Sequence, residues 1–323
     1  VTDDELARIA ADYRDFAQDT AVRSPAYAAL STAVAEDEQV LRFLAGLPPS
    51  QRLQTLFFAA LRFLGGVPAD GRQLRDRVLG DADRLRATML TRSTQTNEPA
   101  RCTGLLPALA LLEGPLALVE VGASAGLCLY PDRYGYEYDG RPVGPRRSVH
   151  LRCTTTGPVP LPDRLPEVVA RIGIDLNPLD VTDAEDLAWL RSLLWPGPAE
   201  AERLARLDAA AAVAAQEPVT FLTGDLVERL PDALALLPSG ATPVVLHTAV
   251  LPYLTDAHRA AFVERVRAAP VHWLAQEGAG MVPGTGTPFK GGWGPYFVLS
   301  LDERPLARTA PHGGSLDWLP AAG

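Results

Sequence analysis

Glu120-x-Gly122-x-Ser124-x-Gly126 closes an apolar run at residues 115–119 and is the densest chemical signal in the chain. The pattern reads as a buried strand, a tight turn and the start of a helix. Two chemistries use that layout. In one, Gly122-x-Ser124-x-Gly126 is a nucleophile elbow, a strained turn that lifts a serine hydroxyl out of the sheet. In the other, small residues let the backbone approach a nucleoside while helix N–H groups face its polar atoms. Glu120 would then meet an amino group or order a water there. The elbow needs earlier strands and an oxyanion donor ahead of it. Here everything before Pro115 reads as helix, and His312-Gly313-Gly314 falls on the wrong side. Ser124, Asp225 and His272 or His312 satisfy a Ser…Asp…His order on paper, which chance supplies easily. A dinucleotide fingerprint fits worse still, because Ser124 and Leu127 stand where glycine is required.

Other chemistry-bearing residues gather at the ends of apolar runs, where open α/β sheets bind ligands. A ribose-binding acid is expected at the end of the second strand. Asp139, about 20 residues after Glu120, fits the usual interval. Asp175, in Gly173-Ile174-Asp175-Leu176-Asn177-Pro178, looks locally similar but would need an insertion. Asp139 is favoured for the ribose, and Asp175, Asn177 and Asp180 are expected in a cap or substrate loop. Asp225 suits an adenine-side contact. His247 ends the run Val244-Val245-Leu246 and is placed as a general base. Glu277 ends the next run and could orient a cation or hydroxyl. Asn97, Glu98 and Arg101 either cap a Pro-started helix or line the ligand cleft, with Arg101 clamping a carboxylate or phosphate. Tyr134, Tyr136 and Tyr138 share one strand face, where packing is favoured over ligand stacking. Glycine-rich loops at 284–287 and 291–294 could carry a lid with Phe289, Lys290 and Trp293.

The elements that must position these groups divide into two blocks. Residues 1–112 are expected to be an α-helical N-terminal cap domain, with helices over 27–34, 38–44, 52–64, 74–90 and 99–112. Residues 113–323 alternate between apolar runs and helical stretches, which implies a mostly parallel, Rossmann-type α/β sheet. Strands are expected at 116–121, 134–138, 149–153, 219–223, 244–247, 271–275 and 296–301. Helices are expected at 163–171, 183–194, 199–215, 226–236 and 256–268, with Thr182 and Thr255 as N-caps. Residues 140–215 would form an insertion.

Composition bounds the function. The chain has 323 residues, 47% of them hydrophobic, and a formal charge of −9. A large core is affordable, and an acidic surface argues against nucleic acid or anionic membrane as a partner. Cys102, Cys128 and Cys153 form no CxxC pair, and the five histidines show no HxH or HxxxH spacing. No metal site and a reducing compartment are therefore expected. No apolar run reaches membrane-spanning length and the acidic first residues show no signal peptide, so a cytoplasmic location is expected.

Several motifs together resemble the bacterial, largely actinobacterial, domain-of-unknown-function family 2332. They are Gln95-Thr96-Asn97-Glu98-x-x-Arg101-Cys102, Glu120-x-Gly122-Ala123-Ser124-Ala125-Gly126-Leu127 and Asp132-Arg133-Tyr134. They continue with Gly173–Asp180, Trp189-Leu190, Trp195-Pro196 and His247-x-x-x-Leu251-x-Tyr253-Leu254. The resemblance implies a fold like that of class-I S-adenosylmethionine (SAM) methyltransferases and draws Tyr134 and Tyr253 into the candidate substrate site. It supplies no reaction. The expectation is a SAM-binding enzyme that methylates a small polar metabolite. Glu120, Gly122, Ser124, Gly126, Asp139 and Asp225 would hold the cofactor. The alternatives are a serine hydrolase using Ser124 and a non-catalytic ligand-binding protein. The oligomeric state stays open.

Overall fold

The computed structural model describes residues 2–95, 97–286 and 296–320. The chain divides into two compact units, residues 1–96 with 183–205 and residues 97–182 with 206–323. The first unit is helical. It contains α1 (Asp3–Thr20), α2 (Pro25–Glu36), α3 (Glu38–Ala45), α4 (Gln54–Gly65), α5 (Gly71–Gly80) and α6 (Ala82–Thr91). Thr2, Ser24, Asp37 and Asp70 cap four of these helices by accepting first-turn N–H groups. The single helix expected over 74–90 is two, because Asp81 leaves helical geometry. Tyr27 stacks on Phe58 at 4.6 Å, and Tyr13 meets Phe57 edge-on at 6.0 Å. Residues 183–205 complete this core from far along the chain. The Trp189 indole donates to Ser93 O at 3.2 Å and meets the Phe63 ring, while Arg62 donates to Leu194 O.

The second unit begins with α7 (Cys102–Leu109), preceded by a 3₁₀ turn at Pro99–Arg101. The helix expected over 99–112 is thus shorter than its pattern suggested. Among the described residues eleven strands follow: β1 (Leu116–Val121), β2 (Gly135–Tyr138), β3 (Arg141–Val143), β4 (His150–Thr156), β5 (Val168–Asp175) and β6 (Thr220–Thr223), then β7 (Thr242–Thr248), β8 (His272–Gly278), β9 (Phe297–Leu301), β10 (Arg304–Thr309) and β11 (Ser315–Trp318). They form one sheet of order β3-β2-β4-β11-β10-β9-β8-β7-β1-β5-β6.

The five strands β6-β5-β1-β7-β8 are all parallel. Counted among themselves they follow the order 3-2-1-4-5 of Rossmann-type sheets, with β1 at the centre and buried throughout. Between these strands the chain carries α8 (Ala184–Ser192), α9 (Glu200–Ala214), α10 (Leu226–Ala235) and α11 (Asp256–Arg267). Leu230 of α10 and Phe262 of α11 pack on the face that presents Val119, Ile172, Val245 and Trp273. β9 and β10 run on antiparallel beside β8, and β11 joins β10 to β4. No helix among the described residues is long and apolar enough to cross a membrane.

Three differences from the sequence reading bear on the site. First, no long helix follows the glycine turn; a single 3₁₀ turn, Leu127–Leu129, stands there. Second, the stretch read as a helix at 163–171 feeds β5, and Gly173 lies inside that strand rather than ending a helix. The Arg171 guanidinium, a charge within this strand, is held against both oxygens of Asp132 at 2.6 Å. Third, Asp183 rather than Thr182 caps α8, while Thr255 caps α11 as its position suggested. Strands β3, β10 and β11 had no separate signal in the pattern.

Candidate functional site

The turn after β1 is held closed by the protein's own groups. Gly122 and Ser124 take positive φ values of 67° and 53°. The N–H groups of Gly122 and Ala123 donate to Ile174 O at 2.8 and 3.1 Å. Ser124 N donates to Asp175 Oδ2 at 2.7 Å, and Leu127 N to Asn97 Oδ1 at 2.7 Å. Asn97 also donates to Ala123 O, and the Tyr134 hydroxyl donates to Leu127 O. Asn97 and Tyr134, expected to meet substrate, therefore position the turn. A Cβ on Gly122 would stand 2.4 Å from a Val250 methyl, so Val250 occupies the space expected for close ligand approach. A Cβ on Gly173 would sit 2.5 Å from the Phe221 ring. Beside Gly126 a cavity of about 230 Å³ opens between Ala125, Tyr130, Leu179, Val219 and Phe221.

The two candidate ribose acids separate cleanly. Asp175 ends β5, the strand neighbour of β1, on the face that carries Glu120. Its second oxygen accepts from Asn177 N at 2.8 Å, which shapes the loop beyond the strand. Asp139 lies in the β2–β3 hairpin, where it bonds Thr155, and β2 is not adjacent to β1. The choice of Asp139 is corrected on this ground: an inserted wing, not the second parallel strand, supplies it.

His247 is not available as a base. It is fully buried, its Nδ1 lies 2.7 Å from Glu277 Oε1, and its Nε2 accepts from the Trp273 indole N–H at 2.8 Å. The proton must sit on Nδ1 to satisfy both bonds, so the lone pair that would take a proton is already engaged. Glu277 Oε1 also accepts from Val250 N and Leu251 N, at 2.8 and 3.2 Å. Trp273, His247 and Glu277 thus set the backbone of the segment that places Val250 against Gly122. Glu277 Oε2 is buried and has no partner among the described residues.

Arg101 and Glu120 differ from the rest. Glu120 is 1% exposed, and its Oε2 is buried with no hydrogen-bond partner among the described residues. Burial, reinforced by Cys128 and only partly opposed by Arg101, holds its carboxyl well above the ordinary range. Arg101 is 5% exposed; Nε donates to Pro311 O and Nη1 to Thr248 O and Oγ1. All its partners are neutral, and Nη2 has none among the described residues. Cys128 lies in the same neighbourhood. The adjacent Cys102 thiol, and then the Arg101 charge, lower its thiol against the raising effect of burial, whereas burial pushes Cys102 well up.

The remaining candidates lie elsewhere or serve as supports. Glu98 caps the 3₁₀ turn and pairs with Arg206 at 2.8 Å. Asp225 caps α10 and meets His258 at 2.6 Å; burial acts to raise its carboxyl, but those hydrogen bonds prevail and lower it. His272 pairs with Asp302, so the line Ser124–Asp225–His272 does not assemble. Asn177 is exposed, and Tyr253 is 65% exposed beyond β7. Phe289, Lys290 and Trp293 lie outside the described residues. Val250, Trp273 and Thr248 escaped the sequence reading, since an apolar or hydroxyl side chain in a strand-end loop carries no motif. No group of three or more His, Cys, Asp or Glu side chains among the described residues could hold a metal ion.

A family model described as an uncharacterized protein conserved in bacteria (DUF2332) matches residues 10–318. No curated protein and no solved structure matches the chain.

Proposed function

We propose a function for a chain that belongs to the bacterial family DUF2332: it binds SAM at the carboxyl ends of β1 and β5 and methylates a small polar metabolite. One observation carries the reading. The central strand of a 3-2-1-4-5 parallel array ends in a buried carboxyl with an unsatisfied oxygen, and its neighbour β5 ends in a second acid on the same face. Glu120 suits the ammonium of a methionine tail, and Asp175 replaces Asp139 as the acid nearest a ribose. The fit is selective. The 3₁₀ turn offers no helix dipole to a phosphate, which favours a nucleoside over a dinucleotide. Bound SAM would supply an electrophilic methyl group. The chain's own contribution is to orient an acceptor and exclude water, and Glu277 Oε2, with His247 engaged, is the oxygen left to hold a proton.

Calorimetry with SAM and S-adenosylhomocysteine tests this directly: heat and an upward thermal shift are expected, and their absence removes the cofactor. Val250→Ala refines the test. It opens the space beside Gly122, so S-adenosylhomocysteine should bind more tightly to the variant if the ligand approaches the turn.

A second reading has a specific observation in its favour. Val250 fills the Gly122 hollow, and the turn's N–H groups are bonded to Ile174, Asp175 and Asn97. On that reading the glycines serve packing alone, the protein does not bind the cofactor, and Val250→Ala merely destabilises by about 1–2 kcal/mol. Serine hydrolysis has less support. A fluorophosphonate probe is expected to leave Ser124 unlabelled, and labelling lost in Ser124→Ala would restore that alternative.

A further inference from the structure

A single 3₁₀ turn, Leu127–Leu129, follows the glycine turn where a Rossmann-type sheet usually carries a full helix. The cavity of about 230 Å³ lies beside that short turn. One of its walls is the Phe221 ring. A Cβ on Gly173 would stand 2.5 Å from that ring, and a Cβ on Gly126 would stand 3.3 Å from it, so both glycines make room for it. Tyr130 forms another wall. Its hydroxyl donates to Glu217 O, and the Arg171 guanidinium lies 5.2 Å from its ring centre. Pro178, Leu179, Pro218 and Val219 add apolar surface, while Ala214 and Ala215, at the end of α9, bring only methyl groups. Among the described residues around the cavity none is cationic, and Asp180 is the one acid. The Thr182 hydroxyl and N–H hold its carboxyl below the ordinary range, so it is ionised at neutral pH. Glu120, Asp175 and Asp225 do not line this space.

Protein interiors seldom leave apolar space of this size unfilled, because an empty volume forfeits contact energy along its whole lining. A dry apolar cavity of about 150 Å³ accepts benzene. This one has room for two fused rings. The flat faces of Phe221, Tyr130 and two prolines suit a planar guest. An anion would have to be desolvated beside Asp180 with no cation to meet it, which is costly. We propose that the cavity is a binding site for a small, uncharged aromatic molecule of one or two rings, seated against Tyr130 and Phe221. The site is separate from the cofactor position proposed above and stands whether or not SAM binds.

Indole is the probe, and indole-3-carboxylate carries the same rings with a negative charge. Calorimetry on the full chain should show saturable binding of indole, roughly tenfold or more tighter than that of the carboxylate. In methyl NMR spectra the Leu179 and Val219 signals should move with indole, through the ring current of the guest, while Val245, on the other face of the sheet, stays still. Ala214→Leu fills the space and should weaken indole binding by roughly tenfold or more. Ala214 is buried, so Ala215→Leu, at an exposed position on the rim, decides the matter if the first variant packs poorly. Indole affinity unchanged in both variants, or methyl shifts confined to other residues, overturns the site. Silence of the wild-type protein towards both indole and benzene would mean that the hollow holds only solvent, and overturns it too. S-adenosylhomocysteine should leave indole binding in place; competition between the two would make the cavity part of the cofactor position and end its standing as a separate site.

Discussion

At the scale of single residues, a buried acid with an unsatisfied oxygen has a thermodynamic signature. The folded protein holds the proton of Glu120 to a higher pH than the unfolded chain does. Between the ordinary carboxylate range and that raised value the native state binds more protons, so stability falls as pH rises. Glu120→Gln removes this loss. The variant should gain relative to wild type as pH rises above the ordinary carboxylate range, by about 1 kcal/mol or more, since each tenfold change in proton affinity is worth about 1.4 kcal/mol. Urea denaturation across that range measures it. Asp132, also raised by burial, is present in both proteins and cancels. A flat difference would mean that Glu120 is already ionised in the folded state. The strand-end position of Glu120 was legible in the sequence, because an acid at the end of an apolar run before a glycine turn is a local pattern. The engagement of His247 was not legible. Trp273 and Glu277 lie a strand away, and only the pairing of β7 with β8 brings them to the ring.

At the scale of elements, the Trp273–His247–Glu277 chain governs the segment after β7. His247→Phe keeps a planar ring but leaves the indole N–H and one Glu277 bond unmade. The cost should be about 2–4 kcal/mol, since both orphaned groups are buried. Hydrogen exchange should show the Val250 and Leu251 amides losing protection while the β1 amides keep theirs. Equal loss at both would mean that the ring supports the sheet rather than the segment. The strands β1, β6, β7 and β8 were legible as short apolar runs ending in polar residues. β5 was not, because Arg171 masks its inward face until Asp132, from a distant segment, neutralises it. β10 and β11 were hidden for another reason: Arg304, Pro305 and Arg308 in β10, and Asp317 in β11, break the apolar pattern, and Arg308 pairs across the two strands with Asp317 at 2.6 Å. The glycine turn misled in one respect. Small residues invite a ligand and a neighbouring side chain alike, and sequence does not distinguish Val250 from a nucleoside.

At the scale of the whole molecule, neither unit is continuous in sequence. The helical unit takes Trp189 and Trp195 from residues 183–205, where Trp195 meets Phe16 at 5.4 Å and Phe63 covers Trp189. A fragment of residues 1–96 should therefore retain helical far-ultraviolet dichroism yet lack fixed aromatic signals in the near ultraviolet, the mark of unconsolidated packing. Adding a peptide of residues 183–205 in trans should restore them. A native near-ultraviolet spectrum from the fragment alone would show that the two tryptophans are dispensable. The sheet carries an analogous dependence. Strand β11 is the sole bridge from β10 to β4 in the hydrogen-bonded ladder of the described residues. On the ribosome, β2, β3 and β4 emerge long before the strand that ties them to the rest. Throughout that interval the inner edge of β4 has no neighbour to zip onto, so nascent chains are most prone to stick to one another until β11 has been made.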